Sequence, residues 1–251
     1  MIMVIASATC REALRSRSFL GLLALYALGI GLARVVGWIS STDGHIVTTD
    51  LVLSLQSLIG VLVAIATGTA LVHSEIKQRT LYTVLSRPLP RWRFVVGKYL
   101  GLAAALGAGQ ALMLLVGLVW LGATGASVHS ALLLAGLLTT VEVLVMAAVA
   151  LCWTALTSPL LAAALGLATY ALGHAVATLP GMLPYLHGWR VPAAAAGASL
   201  IPNLGRFAYR NDAVHQIPLP LAELAQALAY GGLWIALLVT ITVAVYRKKQ
   251  L

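Results

Sequence analysis

Charged residues are scarce in this sequence. They make up 9% of the 251 residues, against about 25% in a typical soluble domain. Hydrophobic residues account for 61% of the chain, and the mean hydropathy is +0.96. A water-soluble core could not enclose this much apolar surface, so the composition excludes a soluble domain and indicates an integral membrane protein. Because no long polar insert interrupts the chain, we expect one membrane domain over 1–251.

Sequence signatures of metal, disulfide and hydrolytic chemistry are also missing. The two cysteines, Cys10 and Cys152, show neither metal-ligand spacing nor a disulfide framework. The chain contains no G-x-x-x-x-G-K-[ST] phosphate loop, no H-E-x-x-H and no G-x-S-x-G. We therefore expect no catalytic residue, no metal ligand and no cofactor bound by this chain.

Acids are the rarest charged residues, with seven Asp and Glu against sixteen Lys and Arg, a net charge of +9. In a soluble protein this excess would suggest nucleic acid binding. Here no basic cluster lies on a polar, foldable segment, so we expect no nucleic acid partner. The positive charge is better explained by basic loops that orient the membrane spans.

Apolar runs of about 20 residues are long enough to cross a bilayer as helices. Six such runs occur in the sequence, and they predict an all-α membrane protein with spans at 18–39, 51–72, 95–121, 130–155, 159–180 and 226–246.

The basic residues predict the orientation of these spans. With both termini in the cytoplasm, twelve of the sixteen basic residues lie on the cytoplasmic side. The other four are Arg34, Arg190, Arg206 and Arg210. The sequence therefore favours an N-in, C-in, multi-pass topology.

Two further segments lie outside the spans. Residues 2–17 have the pattern of a basic amphipathic helix, which is predicted to lie along the inner membrane interface and to contact membrane lipids. Residues 181–222 form a proline-containing connection whose short apolar patch cannot span. We interpret this connection as extracytoplasmic or re-entrant helices.

The stretch 75–98, "EIKQRTLYTVLSRPLPRWRFVVGK", interrupts the apolar pattern between spans two and three. Residues 76–86 have the periodicity of an amphipathic helix, which Pro88 ends because the residue before proline disfavours helical backbone. Arg91, Arg93 and Lys98 are predicted to anchor the entry of span three at the lipid headgroups.

This stretch resembles the permease subunits of type-2 ABC transporters. The resemblance is carried by an acid that closes span two, an R-T-L-x-x-x-L-S-R-P match to the family's R-T-L-x-x-L-L-S-R-P helix, a basic turn and a G-K pair that opens span three. It implies that 76–92 is a cytoplasmic coupling helix that docks on a separate ATP-binding subunit. The residues that match the coupling pattern are Glu75, Thr80, Leu81, Leu85, Arg87, Pro88 and Arg91.

The resemblance also implies how the protein is assembled and where it acts. Two ATP-binding subunits, which carry the ATP and magnesium, would serve two permease copies, or one copy and a related permease. The expected activity is export across the bacterial cytoplasmic (inner) membrane.

Two ionisable residues fall inside predicted spans. Glu142 lies in the middle of span four and His174 lies in span five. A buried charge costs several kcal/mol in a membrane, so both are candidates for the translocation path. The alternative is a structural role at a helix contact, with the Glu142 carboxyl kept neutral or bonded to the hydroxyl of Thr139 or Thr140.

Small residues recur every four positions in three spans. The series in spans one and five, Gly29, Ala33, Gly37, Ala162 and Gly166, are candidates for the contact between permease copies, because the resembled family pairs through those spans. Gly97 and Gly101 form a similar pair in span three.

Two other functional classes remain open. A secondary transporter or channel that works without ATP would need matching broken helices in an internal repeat, and no repeat relates spans one to three with four to six. A membrane-embedded enzyme would need polar residues clustered at one depth, and in the sequence only Glu142 and His174 suggest this.

Overall fold

The computed structural model describes residues 2–39, 44–77, 91–182 and 190–248. Within these ranges the chain is helical, without a β-strand. The α-helices are α1 (Ile2–Arg15), α2 (Arg17–Ile39), α3 (Gly44–Lys77), α4 (Arg91–Ala123), α5 (Ser130–Leu156), α6 (Pro159–Met182), α7 (Arg190–Leu200), α8 (Arg210–Val214) and α9 (Leu221–Lys248), and a 3-10 helix spans Leu204–Phe207.

Local sequence explains where several helices begin and end. Ser16 separates α1 from α2, and its hydroxyl accepts a hydrogen bond from the Phe19 backbone N–H at 3.2 Å. Gly125 follows α4 with φ of +80°, a conformation that glycine adopts at low cost. Pro159 occupies the first position of α6, where its missing N–H costs no helical hydrogen bond.

The six predicted spans are confirmed as helices long and apolar enough to cross a membrane. Three of them begin four or more residues earlier than predicted, α3 at Gly44 rather than 51, α4 at Arg91 rather than 95 and α9 at Leu221 rather than 226. These first turns carry polar residues, so the apolar pattern alone could not include them. The chain is a multi-pass membrane protein.

Helices α3 and α5 form the centre of the bundle. In each, 67% of the most apolar 18-residue stretch is buried inside the protein. The corresponding share is 22% in α2 and 17% in both α6 and α9. Helix α3 packs against α2 and α5, and α5 also packs against α9. Residues on α3 and α5 are therefore the ones best held in place by the fold.

The amphipathic segment at the N-terminus is helical, and it packs on the first turns of α4. Glycine makes this contact possible: a Cβ atom at Gly101 would lie 2.4 Å from the Ala6 carbonyl oxygen. At Gly97 the nearest atom would be Ile5 Cβ at 3.0 Å. Lys98 lies between these glycines and is only 5% exposed, so its predicted place among the lipid headgroups is wrong.

Residues 202–207, in the connection between α6 and α9, pack against the bundle. The buried residues Leu204 and Phe207 of the 3-10 helix pack between α6 and α9. The Tyr230 hydroxyl on α9 accepts a hydrogen bond from the Asn203 backbone N–H at 2.8 Å. Gly173 on α6 leaves room for Leu204, whose Cγ would lie 2.7 Å from an added Cβ. These contacts hold the 3-10 helix beside Gly173 and Tyr230, which lie in the interior of α6 and α9 and not at their ends.

Candidate functional site

Glu142 joins three helices at the centre of the bundle. It lies on α5 and is 2% exposed. The Ser57 hydroxyl of α3 donates a hydrogen bond to Glu142 Oε2 at 3.1 Å. His174 Nε2 of α6 lies 2.8 Å from Glu142 Oε1. The carboxyl group therefore has a partner on each side, which satisfies a polar group that would be costly to bury alone.

The histidine of this cluster is the more accessible partner. The His174 side chain is 36% exposed, against 3% for the Glu142 side chain. The Tyr170 ring packs edge-on against the imidazole with ring centroids 4.8 Å apart. The cluster therefore reaches from the buried core to the surface of α6.

A second polar contact lies beside the first. Gln56, next to Ser57 on α3, donates a hydrogen bond from Nε2 to Gln110 Oε1 of α4 at 3.0 Å. Both glutamines are buried. Gly60 leaves the space for the Gln110 side chain, because a Cβ there would lie 1.8 Å from Gln110 Nε2. Adjacent residues of α3 thus contact two helices, α4 through Gln56 and α5 through Ser57.

These polar residues share one depth in the bundle. Ser57, Gln110, Glu142 and His174 are eight to thirteen residues from the nearest helix end on the same side of the bundle. At 1.5 Å per residue this corresponds to about 12–20 Å. The bundle therefore contains a polar layer near the middle of its apolar length.

A salt bridge lies above this layer, at the end of the bundle where α3 begins. Arg210 Nε of α8 is 3.0 Å from Asp50 Oδ1 of α3, and the side chains are 46% and 44% exposed. Asp50 precedes Ser57 by two helical turns on α3. Polar groups thus continue from the polar layer to one end of the bundle.

The order of the contacts excludes a serine-hydrolase triad. In that arrangement histidine lies between serine and the acid, so that it can take the hydroxyl proton. Here Glu142 lies between Ser57 and His174. Nor do the described residues contain three His, Cys, Asp or Glu side chains placed to hold a metal ion. The cluster is suited to a charge, hydrogen-bonding or gating role.

Three of the five small residues predicted to lie between permease copies, Gly29, Gly37 and Gly166, contact α3 of their own chain. A Cβ at Gly29 would lie 2.9 Å from Leu55, one at Gly37 would lie 2.8 Å from the Gly44 carbonyl oxygen, and one at Gly166 would lie 3.3 Å from Ile65. Ala33 and Ala162 are buried. These residues pack within one copy, and their role between two copies stays a prediction.

Most of the predicted coupling residues lie outside the described residues, namely Thr80, Leu81, Leu85, Arg87 and Pro88. Glu75 lies in the last turns of α3, and Arg91 is the first residue of α4. The predicted segment 76–92 therefore joins the ends of α3 and α4, as a loop between spans two and three must.

Sequence reasoning missed Gln56, Ser57, Gln110 and Tyr170. The first three are polar residues in the middle of apolar runs, "LSLQSLIG" and "LGAGQALM". Side chains of this kind in a membrane span usually bond to another helix, so their position was a usable signal. The hydroxyl bonded to Glu142 belongs to Ser57 and not to the predicted Thr139 or Thr140. The Thr140 hydroxyl instead donates to the Gly136 carbonyl oxygen of its own helix at 2.8 Å.

Comparison with known families accounts for nearly the whole chain. The sequence profile of a family described as "ABC-2 family transporter protein" matches residues 3–251. The chain belongs to the ABC-2 transporter family. No curated protein matches this ABC-2 chain at a significant level.

Family membership confirms the resemblance carried by residues 75–98. ABC-2 permeases are the membrane components of transport systems, and they generally associate with an ATP-binding ABC subunit. The six apolar helices of this chain agree with that role. The cluster around Glu142 therefore lies in the membrane domain of an ABC-2 transporter.

Proposed function

We propose that this chain is the permease subunit of an ATP-driven exporter in the bacterial cytoplasmic membrane. The observation that carries the proposal is the family match over residues 3–251, together with the basic loop between α3 and α4. Both termini are in the cytoplasm in this proposal, because that orientation places most of the basic residues there.

Coupling to ATP hydrolysis would take place at residues 76–92. Two ATP-binding subunits, each carrying ATP and magnesium, dock on this segment in two permease copies, or in one copy and a related chain. Helices α3 and α4 lead directly from the segment into the bundle. Because α3 also carries Ser57 and Gln56, a displacement of its cytoplasmic end would be transmitted to the polar layer.

The translocation path would pass the exposed side of His174 and Tyr170, with Glu142 behind them. A partly exposed histidine is costly against lipid at this depth, so this face of α6 is better suited to a second permease copy or to water. The salt bridge between Asp50 and Arg210 would lie at the extracytoplasmic mouth of the path. The extracytoplasmic or re-entrant region 181–222 would close that mouth.

The experiment that tests coupling is co-purification. A tagged chain is expected to bring an ATP-binding protein with it from mild detergent. The double variant Arg87→Glu, Arg91→Glu should lose that protein, because reversed charge in the docking segment opposes binding. The matched control is Arg247→Glu, Lys249→Glu, which reverses two charges in the C-terminal basic cluster, residues 247–249.

The outcome decides between this proposal and a transporter that needs no ATP. Loss in the docking variant with retention in the control supports docking at 76–92. Transport by the purified chain with no ATP-binding protein present would instead favour a secondary transporter or channel.

A further inference from the structure

A pocket of about 320 Å³ lies between α9 and the folded-back connection, apart from the cluster around Glu142. Its walls come from α5, from the 3-10 helix and α8, and from the first two turns of α9. The charged and amide side chains among its lining residues are Arg206, Asp212, Glu223 and Gln226, and the apolar ones include Leu138 and Ala227.

The pocket lies at a membrane boundary. Helix α9 ends in Arg247 and Lys248 at the opposite side. Counting about 20 residues, or roughly 30 Å, from Arg247 along α9 reaches Ala227. Glu223 and Gln226 therefore fall in the headgroup layer, and Leu138 and Ala227 fall at the edge of the hydrocarbon. A ligand here would be polar at one end and apolar at the other.

The pocket has an excess of negative charge. It collects two of the seven acidic residues of the chain, and Arg206 is the one base among its lining residues. Neither Asp212 nor Glu223 forms a salt bridge with another described residue. Two carboxylates facing one cavity favour a cation between them.

Arg206 is oriented by an aromatic neighbour. Its guanidinium lies 4.7 Å from the centroid of the Tyr230 ring, which supports the cation without using its N–H donors. These donors suit the two oxygens of a phosphate. The Tyr209 hydroxyl donates to the Ile217 carbonyl oxygen, so it is already engaged. Burial, with a smaller effect of the Asp212 charge, raises the pKa of Tyr209 and keeps this hydroxyl protonated.

We propose that this pocket binds the headgroup of a phosphatidylethanolamine-type lipid. The ammonium group is held by Asp212 and Glu223, and the phosphate is held by Arg206. A primary ammonium donates three hydrogen bonds, and the two carboxylates with the Gln226 amide oxygen supply three acceptors. A choline headgroup has no N–H donor, so the pocket selects ethanolamine over choline.

Lipid binding to the purified full-length chain tests the proposal. Native mass spectrometry would titrate phosphatidylethanolamine, phosphatidylcholine and phosphatidylglycerol with identical acyl chains. We expect the ethanolamine lipid to bind about tenfold more tightly than the choline lipid, since charge-assisted hydrogen bonds are lost with choline. Equal affinity for these two lipids would overturn the proposal, and this comparison requires no variant.

Variants then locate the site. Asp212→Asn combined with Glu223→Gln should abolish the preference for the ethanolamine lipid. Arg206→Gln should lower the affinity for the ethanolamine and choline lipids alike by about tenfold. The control Glu12→Gln removes a carboxylate elsewhere in the chain and should leave the preference intact. A preference that survives in the double variant contradicts the assigned site. If the double variant does not fold, Glu223→Gln alone, at an exposed position, should reduce the preference, and an unchanged preference there contradicts the site equally.

A soluble headgroup distinguishes lipid from free ligand. Glycerophosphoethanolamine has the same charged groups without acyl chains, so it should compete only weakly. Binding as tight as that of the lipid would show that the pocket takes a soluble zwitterion, and the lipid assignment would be wrong.

Discussion

The Glu142 carboxylate of α5 and the His174 imidazole of α6 meet at 2.8 Å in the middle of the bundle, and Ser57 of α3 binds the other carboxylate oxygen. One side chain therefore links three helices. If a partner subunit moves the Lys77 end of α3, the contact between Ser57 and Glu142 must stretch or exchange partners. Glu142 therefore connects the packing of three helices with the proposed transport cycle.

Glu142→Gln should preserve the fold and impair transport. The amide oxygen can still accept the Ser57 hydrogen bond, so we expect the free energy of unfolding to change by less than about 1 kcal/mol. The ionisable carboxyl group is lost, and we expect the transport-dependent phenotype of a deletion strain to be restored about tenfold less efficiently. Complementation and thermal unfolding are the two measurements.

Glu142→Leu serves as the contrast for this prediction. It leaves the Ser57 hydroxyl and the His174 ring without their partner, and we expect a loss of about 1–3 kcal/mol of stability. Full complementation by Glu142→Gln would show that the carboxylate is a structural group and lies outside the path.

Gly101→Ala should destabilise the protein, although alanine is the better helix former. The added Cβ would press on the Ala6 carbonyl oxygen and on Thr9 of α1. Overpacking of this kind typically costs about 1–3 kcal/mol. Gly107→Ala is the matched control on the same helix, because a Cβ there meets nothing within 4 Å. We expect the control to gain up to about 1 kcal/mol from helix propensity. Equal unfolding temperatures for the two variants would contradict the close contact of α1 with α4.

The salt bridge between Asp50 and Arg210 should contribute little to stability. Both side chains are almost half exposed, and exposed ion pairs give about 0.2–1 kcal/mol. A double-mutant cycle with Asp50→Asn and Arg210→Gln should return a coupling energy in that range. A coupling energy of several kcal/mol would mean that the pair is buried in the assembled transporter, for example by a second copy.

The proposed topology predicts opposite labelling of two exposed serines. Ser127 lies between α4 and α5, and Ser158 lies between α5 and α6. After Cys10→Ala and Cys152→Ala, a cysteine at 127 should react with an impermeant maleimide in intact cells. A cysteine at 158 should react only after lysis. The reverse pattern would invert the orientation of every span.

The sequence by itself determined the fold class, the six spans and the family. Length and apolarity alone define a span, because a helix must satisfy its own backbone in lipid. The first turns of α3 and α9 were missed because they contain polar residues and so do not continue the apolar pattern that marks a span.

The tertiary structure decided which residues meet. The sequence marked Glu142 and His174 singly, but their contact and the participation of Ser57, Tyr170 and the glutamine pair depend on how the helices are rotated against one another. It likewise placed Gly29, Gly37 and Gly166 against α3 and buried Lys98. It also brought residues 205–219 beside α9 and α5 to form a pocket from residues far apart in the chain. Apolar patterns specify that a helix lies in the membrane, whereas packing between side chains of neighbouring helices decides which face of each helix meets its partners.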